Sequence, residues 1–338
     1  MITIDGSSGE GGGQILRTSL ALSLITGQPC RFEKIRAGRE KPGLKRQHLA
    51  SVAAAAEISN AQVTGATLGS QNLEFCPGPV TPGNYRFAVG TAGSATLVFQ
   101  TVLPALLRQT QASTLTLEGG THNPLAPSYD FLAKAYVPLI ERMGPQIALR
   151  LRNQGFFPAG GGKFHASIEP ATTLKRVDLL ERGAIRRRHA RVLLSKLSES
   201  IADKQLAVVR EKLGWSNEEC SVEFAIHPLG PGSALVLEVE TDTGTAVFTG
   251  PGDRDQSAEE IALKVIGELE QWLVSETPVD EHLADQLMLP MALAGGGSYR
   301  TTEPSPHSLT NAETIAQFLS VSIRVEQESA LVWRAVVG

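Results

Sequence analysis

Cysteine is scarce in this 338-residue chain: Cys30, Cys76 and Cys220 are odd in number and far apart. That excludes a disulfide framework and a CxxC metal site, and it fits a reducing compartment. Long apolar runs are missing too. Stretches such as 53–56 and 287–293 fall far short of the ~20 residues that a helical membrane span needs. The opening Met1-Ile2-Thr3-Ile4-Asp5-Gly6 lacks the basic-then-apolar layout of a secretory leader, so a cytoplasmic location off the membrane is expected. Charge of one sign is not in excess. A formal net charge of −4 excludes a protein that coats nucleic acid by bulk electrostatics, yet permits a local basic pocket that grips one end. Several motifs are absent. No Gly-Lys-Ser or Gly-Lys-Thr follows a glycine loop, no GxGxxG or GxSxG occurs, and the histidines show no metal-ligand spacing.

What is present is clustered glycine. Residues 2–5 read as a strand, Gly9 to Gly13 as a turn, and Gln14 to Ile25 as a helix with Ile15, Leu16, Leu20 and Leu24 on one side. Residues 32–35 suggest a strand, 48–61 an alanine-rich helix, and 72–76 and 85–89 further strands. A related unit then recurs: Phe87-Ala88-Val89, the loop Gly90-Thr91-Ala92-Gly93-Ser94, and a helix from about 95 to 107. A third helical stretch around Leu283 to Leu289 leads through Pro290 into the glycine run 294–297. Repeated βα units of this kind imply an α/β, layered α+β fold. Between them, from about Glu181-Arg182-Gly183, composition shifts. Three arginines at 186–188 precede an amphipathic pattern read as a helix over 191–213, strands near 222–226, 234–240 and 246–248, and a helix over 257–274. This stretch has no glycine loop and reads as a smaller domain inserted into a larger one.

Six segments carry candidate chemistry. Glu10-Gly11-Gly12-Gly13-Gln14 opens a helix, where free backbone N–H groups favour an anion. Arg17, one turn inside, adds a guanidinium suited to phosphate, and Glu10 offers oxygen ligands for a divalent ion. The same residues also serve a plain strand-to-helix turn. Arg36 to His48 places five basic residues on a Gly/Pro loop, a phosphate-gripping pattern or a solvated charge run. Gly90 to Ser94 and Gly119 to Pro124 are small-residue loops, and Gly155 to Gly162 adds Phe156 and Phe157, which either stack on a base or pack in a core. Last, Glu303-Pro304-Ser305-Pro306-His307-Ser308-Leu309-Thr310-Asn311 carries a histidine. Neutral imidazole can attack phosphorus and later leave. Such a nucleophile needs its second nitrogen bonded to a fixed acceptor, and Asp285, Asn311 or a backbone carbonyl are all available.

Taken in order from Glu10 to Asn311, these motifs resemble the RNA 3'-terminal phosphate cyclases. The resemblance implies a larger domain of three repeated βαβαββ units, residues 1–182 plus 278–338, with a smaller, thioredoxin-like α/β domain inserted over 183–277. It implies an ATP-dependent enzyme that converts an RNA 3'-terminal phosphate to a 2',3'-cyclic phosphodiester. In that scheme His307 carries AMP and an RNA-adenylate anhydride follows. The implied nucleotide site is Gln100, Pro127, His282, Leu283, Ala284, Asp285 and Gln286, with Pro127 and position 282 sandwiching adenine. His282 stands where the family often has a larger aromatic. Arg17, Arg36, Arg39, Arg46 and His48 would hold phosphates or RNA, and Glu10 would bind Mg²⁺ or Mn²⁺. No obligate protein partner is implied. Three other readings use the same residues: a silent relative lacking the nucleophile, against which His307 argues; a transferase resembling enolpyruvyl-shikimate-phosphate synthase, which needs no covalent nucleotide; and a binder of RNA ends that consumes no ATP.

Overall fold

The computed structural model describes all 338 residues. The first unit runs β1 (Ile2–Asp5), α1 (Gln14–Thr26), β2 (Cys30–Glu33), α2 (Arg46–Ser59), β3 (Gln62–Thr64) and β4 (Leu73–Cys76). Its sheet has the order β1-β2-β4-β3, with β1 and β2 parallel and the rest antiparallel. Helix α1 buries Ile15, Leu16, Leu20 and Leu24 and stops where Gly27 adopts a left-handed conformation.

The second unit repeats this plan: β5 (Asn84–Ala88), α3 (Ala95–Leu106), β6 (Ser113–Gly119), a π-helical turn Phe131–Tyr136 running into α4 (Val137–Glu141), β7 (Gln146–Asn153) and β8 (Gly162–Glu169). Its order, β5-β6-β8-β7, matches the first sheet strand for strand. The third unit begins with β9 (Val177–Leu179) and is then interrupted. Into the gap fall β10 (Ile185–Ser195), α5 (Ser200–Leu213), β11 (Cys220–Phe224), β12 (Gly232–Thr241), β13 (Thr245–Pro251) and α6 (Ala258–Ser275). The unit resumes with α7 (Glu281–Leu293), β14 (Gly297–Thr301), α8 (Pro306–Ala316), β15 (Ile323–Gln327) and β16 (Trp333–Val337), and its order β15-β16-β14-β9 is the same plan again.

Helices of the three units pack on one another: α1 against α2, α3 and α8, and α7 against α8. They share one large apolar core, and each sheet turns a polar face outward. The interrupting segment has its own sheet, β11-β10-β12-β13, and a separate cluster around Trp272, Phe248 and Leu235. The other face of that sheet docks on the second unit through Leu193, Val236 and Val247, which join the large core.

Three sequence expectations are corrected. Residues 191–195, read as the start of a helix, are strand. Ala190 to Leu194 lie in the central strand of a sheet, paired on both sides, and that pairing overrides the amphipathic pattern that continues into α5. The glycine run 294–297 is not a counterpart of the strand-to-helix glycine loops. It joins a helix to a strand, because the inserted segment occupies the equivalent place between β9 and α7. Helix α7 also continues past Pro290 to Leu293, held by burial of Leu287, Met288 and Met291 in the core.

Candidate active site

The glycine loop after β1 lets three other segments reach its backbone. A side chain at Gly12 would strike the Glu10 carboxylate, and one at Gly13 would strike the Nε2 of His48 and the guanidinium of Arg17. At Gly13, against the buried His48 ring, a small residue is therefore a spatial requirement, since overpacking so close a contact costs ~1–3 kcal/mol. Glu10 is anchored by its own N–H, which donates to the Thr310 hydroxyl in α8 at 3.2 Å. Its Oε2 pairs with Arg39, whose Nη2 also donates to the Glu10 carbonyl at 2.7 Å.

Helix α8 delivers His307. Ser305 caps it by accepting the Ser308 N–H at 3.2 Å, and Pro306 takes the first helical position. His307 is half exposed at that N-terminus. Its Nδ1 lies 2.8 Å from Gln14 Oε1 and 3.6 Å from Glu10 Oε1. Gln14 in turn donates from Nε2 to Asp285 Oδ2 at 2.6 Å. While Asp285 is ionised it only accepts, which sets the amide orientation: Nε2 faces Asp285 and Oε1 faces His307. Nδ1 must then be the donor, and the lone pair of the neutral ring is left on Nε2. Asp285 thus acts on His307 through Gln14. Asn311 does not touch the imidazole; it donates to the Asp285 carbonyl at 2.6 Å and accepts from Thr18 at 2.9 Å.

Burial, opposed by His282, Gln14 and Arg17, pushes the Asp285 carboxyl up to about 7, and its Oδ1 has no partner. The fully buried His48 goes the other way. Burial and then the Arg17, Arg36 and Lys45 cations press it down to about 3, so it is neutral. Its Nδ1 accepts the Lys45 N–H at 3.0 Å, which puts the proton on Nε2, facing the glycine loop. Burial lowers Arg17 to about 10 against the pull of Glu10 and Asp285, and the cation persists at neutral pH. Its side chain has neither a hydrogen-bond nor an ion-pair partner in the protein. An N–H donor and an unpaired guanidinium therefore flank one glycine, an arrangement that favours an anion.

The other predicted residues divide into groups. Gln100 in α3 bonds to Gln286 in α7, and one turn away Thr96 donates to the Pro127 carbonyl at 2.8 Å. Leu283 and Ala284 are core side chains. Arg36 is buried and spends Nη1 on the carbonyls of Lys41 (2.6 Å) and Gly43 (3.1 Å), shaping its loop. Arg46 is exposed at the first turn of α2 without a partner. His282 is exposed, 3.9 Å from Glu268 of α6, which with Asp280 and Glu281 raises its pKa. No cluster of three or more His, Cys, Asp or Glu side chains is arranged to hold a metal. A lone carboxylate still suits a magnesium-sized ion that takes its remaining ligands from substrate phosphate and water, and Glu10 Oε1 is left free of hydrogen bonds for that. Sequence reasoning passed over Gln14 as a site residue; its place directly inside the glycine loop was the available signal.

These features define a class: a layered α/β protein that offers an oriented imidazole and a cationic glycine loop to an anionic ligand. The family model for RNA 3'-terminal phosphate cyclase matches residues 8–325. Proteins named RNA 3'-terminal phosphate cyclase from Koribacter versatilis (strain Ellin345) and Ralstonia nicotianae are 52% and 49% identical over 328 residues. Those matches cover 97% of this chain and 92% and 94% of the relatives. One from Ectopseudomonas mendocina is 44% identical over 98% of this chain and 97% of its own length. The chain belongs to the RNA 3'-terminal phosphate cyclase family.

Proposed function

We propose that this chain is an ATP-dependent RNA 3'-terminal-phosphate cyclase, a ligase-type nucleotidyl transferase acting on RNA with a 3'-terminal phosphate. The observation that carries the mechanism is the chain Asp285–Gln14–His307, which leaves the His307 Nε2 lone pair free beside the anion-receptive loop.

His307 Nε2 attacks the α-phosphorus of ATP. The bond to the bridging oxygen breaks and pyrophosphate leaves. Gln14 holds the Nδ1 proton as the ring becomes cationic. An oxygen of the RNA 3'-phosphate then attacks the bound AMP, breaking the P–N bond and forming a mixed anhydride. The adjacent 2'-OH attacks the terminal phosphorus, loses its proton and expels AMP, closing the 2',3'-cyclic phosphodiester. This last step is intramolecular, so the ribose supplies proximity. Arg17, Arg39 and the His48 Nε2–H bind phosphate oxygens. Arg36 holds the loop that carries Arg39, and Arg46 meets RNA at the rim. Gln100, Pro127, His282, Asp285 and Gln286 form the adenine and ribose side, with Leu283 and Ala284 packed in the core behind them. Glu10 would hold Mg²⁺ or Mn²⁺, which when bound offsets triphosphate charge.

We also assign residues 1–182 with 278–338 to the catalytic domain and 183–277 to the inserted one, and place the protein in the cytoplasm. No helix is long and apolar enough to cross a membrane.

The test uses ATP labelled at the α-phosphorus with wild type and His307→Ala. An acid-labile, alkali-stable label on wild type alone is expected. Retained label in the variant would put the nucleophile elsewhere. Binding of 3'-phosphorylated RNA with no label on either protein would favour a binder of RNA ends. Because the ring is half exposed, the variant should melt within ~0.5 kcal/mol of wild type.

A further inference from the structure

The three sheets share one topology, but their outward faces differ. Within the first, Arg31 stands among Asp5, Glu33 and Glu74. Within the third, Arg300 and Arg334 are both paired to Glu328. The second is cationic. Arg86 and Lys163 together neutralise Glu118, at 3.0 and 2.9 Å. On the edge strand β7, Arg150 and Arg152 are exposed and have neither hydrogen-bond nor ion-pair partners. His165 lies directly opposite Arg150, and burial, then the nearby Arg152 and Lys163 cations, lowers its pKa. Glu169, at the far end of β8, is the other acidic residue on this face.

At the near end the face opens into a cleft of about 400 Å³ lined by Gly90, Asn153, Lys163 and Leu229. Leu229, from the inserted segment, lines it and is 67% exposed, and Phe157, two residues before the lining Ala159, is 65% exposed. The loop that borders the cleft also packs against the site described above. Gly160 packs on Thr91 and Ala92, and in the same loop Gly93 packs on the Cβ of Gln47, between Arg46 and His48. A polar, positively charged surface with one exposed aromatic ring, bordered by a loop that packs against the phosphate pocket, has the chemistry that holds single-stranded nucleic acid without reading its sequence.

We infer that the outer face of the second sheet, with Phe157 and the adjoining cleft, is the track that binds the RNA strand on the 5' side of its terminal phosphate. The inference rests on the proposed activity, and it gives the inserted segment a part in substrate binding, as one wall of the cleft. Arg150 and Arg152 meet backbone phosphates, and Phe157 stacks on a base.

The experiment measures binding of a 5'-fluorescent, 3'-phosphorylated RNA of about twelve nucleotides and of a 3'-phosphorylated dinucleotide, by anisotropy across salt. The proteins are wild type, the Arg150→Gln/Arg152→Gln and Arg150→Glu/Arg152→Glu pairs, and Phe157→Ala. The charge-reversal pair should bind the long RNA at least about 10-fold more weakly. The glutamine pair should lower the log–log salt slope by about 1.4, at ~0.7 per lost phosphate contact on a single strand. Phe157→Ala should weaken binding about 5-fold or more. Dinucleotide binding, confined to the pocket, should be unchanged. Self-adenylylation by ATP, which needs no RNA, reports folding. Equal long-RNA binding by all four proteins overturns the track. So does charge reversal that removes self-association in sedimentation while RNA binding persists, because the face would then be a contact between copies. Wild type that binds long RNA through this face but neither labels with ATP nor cyclises would overturn the proposed activity and leave the track standing.

Discussion

At the residue scale, one amide decides which nitrogen of His307 is free. Gln14 can present Oε1 to the imidazole only while its Nε2 faces an accepting carboxylate. We predict that Gln14→Ala slows self-adenylylation by about 10²-fold, the usual scale for a lost proton-handling partner, with little change in ATP affinity; single-turnover labelling and equilibrium binding measure the two. Asp285 gives this a pH signature. With a carboxyl raised to about 7, it is largely protonated below neutrality and then donates, which lets the Gln14 amide turn and the ring proton move to Nε2. The adenylylation rate of wild type should therefore rise as pH passes through about 7, and Asp285→Asn should flatten that limb. An unchanged profile in the variant would remove Asp285 from control of the nucleophile. His48 makes a prediction about stability. Its folded value is about 3, against ~6.5 for an unperturbed histidine. Between those values the unfolded chain takes up a proton that the folded chain refuses. The contribution is therefore full above pH ~6.5 and is lost as pH falls toward 3. Asp285, raised in the fold, acts in the opposite sense between ~4 and 7. Urea midpoints from pH 7 to 4 should fall more steeply for wild type than for His48→Asn, and parallel curves would show that His48 does not titrate as described.

At the scale of elements, the site is a meeting of helix N-termini. Helix α1 brings Gln14 and Arg17, α2 brings His48, α7 brings Asp285 and α8 brings His307. The glycine loop before α1 is what allows the convergence. Gly13 has ordinary right-handed backbone angles, so its requirement is for space alone. Gly13→Ala should push against His48 and Arg17, destabilise the protein by ~1–3 kcal/mol and reduce ATP labelling; thermal melts and labelling check both, and a variant with wild-type values in each would show that the loop yields freely. Much of this scale was legible in the chain. Strand-glycine-helix at the start and the alanine-rich α2 each follow from local signals, whereas helix α8 was not read although Ser305-Pro306 opens it. The strand β10 did not. Residues 191–195 run on into the amphipathic pattern of α5, and only the two flanking strands make them extended.

At the scale of the whole molecule, three copies of one unit share a helical core, and the interrupting segment is fastened to the second copy. The fastening is a charge network. Buried Asp130 accepts from His122 Nε2 at 2.8 Å and pairs with Arg191 of β10, which also pairs with Glu223, while Lys134 pairs with Glu238 of β12. Despite the burial, His122, Arg191 and Lys134 hold Asp130 far below the usual carboxylate range. Removing one partner of such a pair leaves an uncompensated buried charge, at a cost of ~3–5 kcal/mol. Arg191→Met should therefore lower stability by about that amount, and Asp130→Asn/Arg191→Met together should recover part of it, as double-mutant melts would show. Additive losses from the two changes would mean that the pair is not coupled.

The sequence by itself determined the layered α/β class and the glycine-rich and basic segments that supply the candidate site, because these depend on local periodicity, capping and glycine placement. Tertiary structure decided the rest. Gln14 and Asp285 are 271 positions apart, and Gln14 and His307 are 293 apart; no local pattern relates residues at such separations. Their contact, the tautomer it fixes, the depressed His48 and the raised Asp285 all follow from packing that removes water and sets which group faces which.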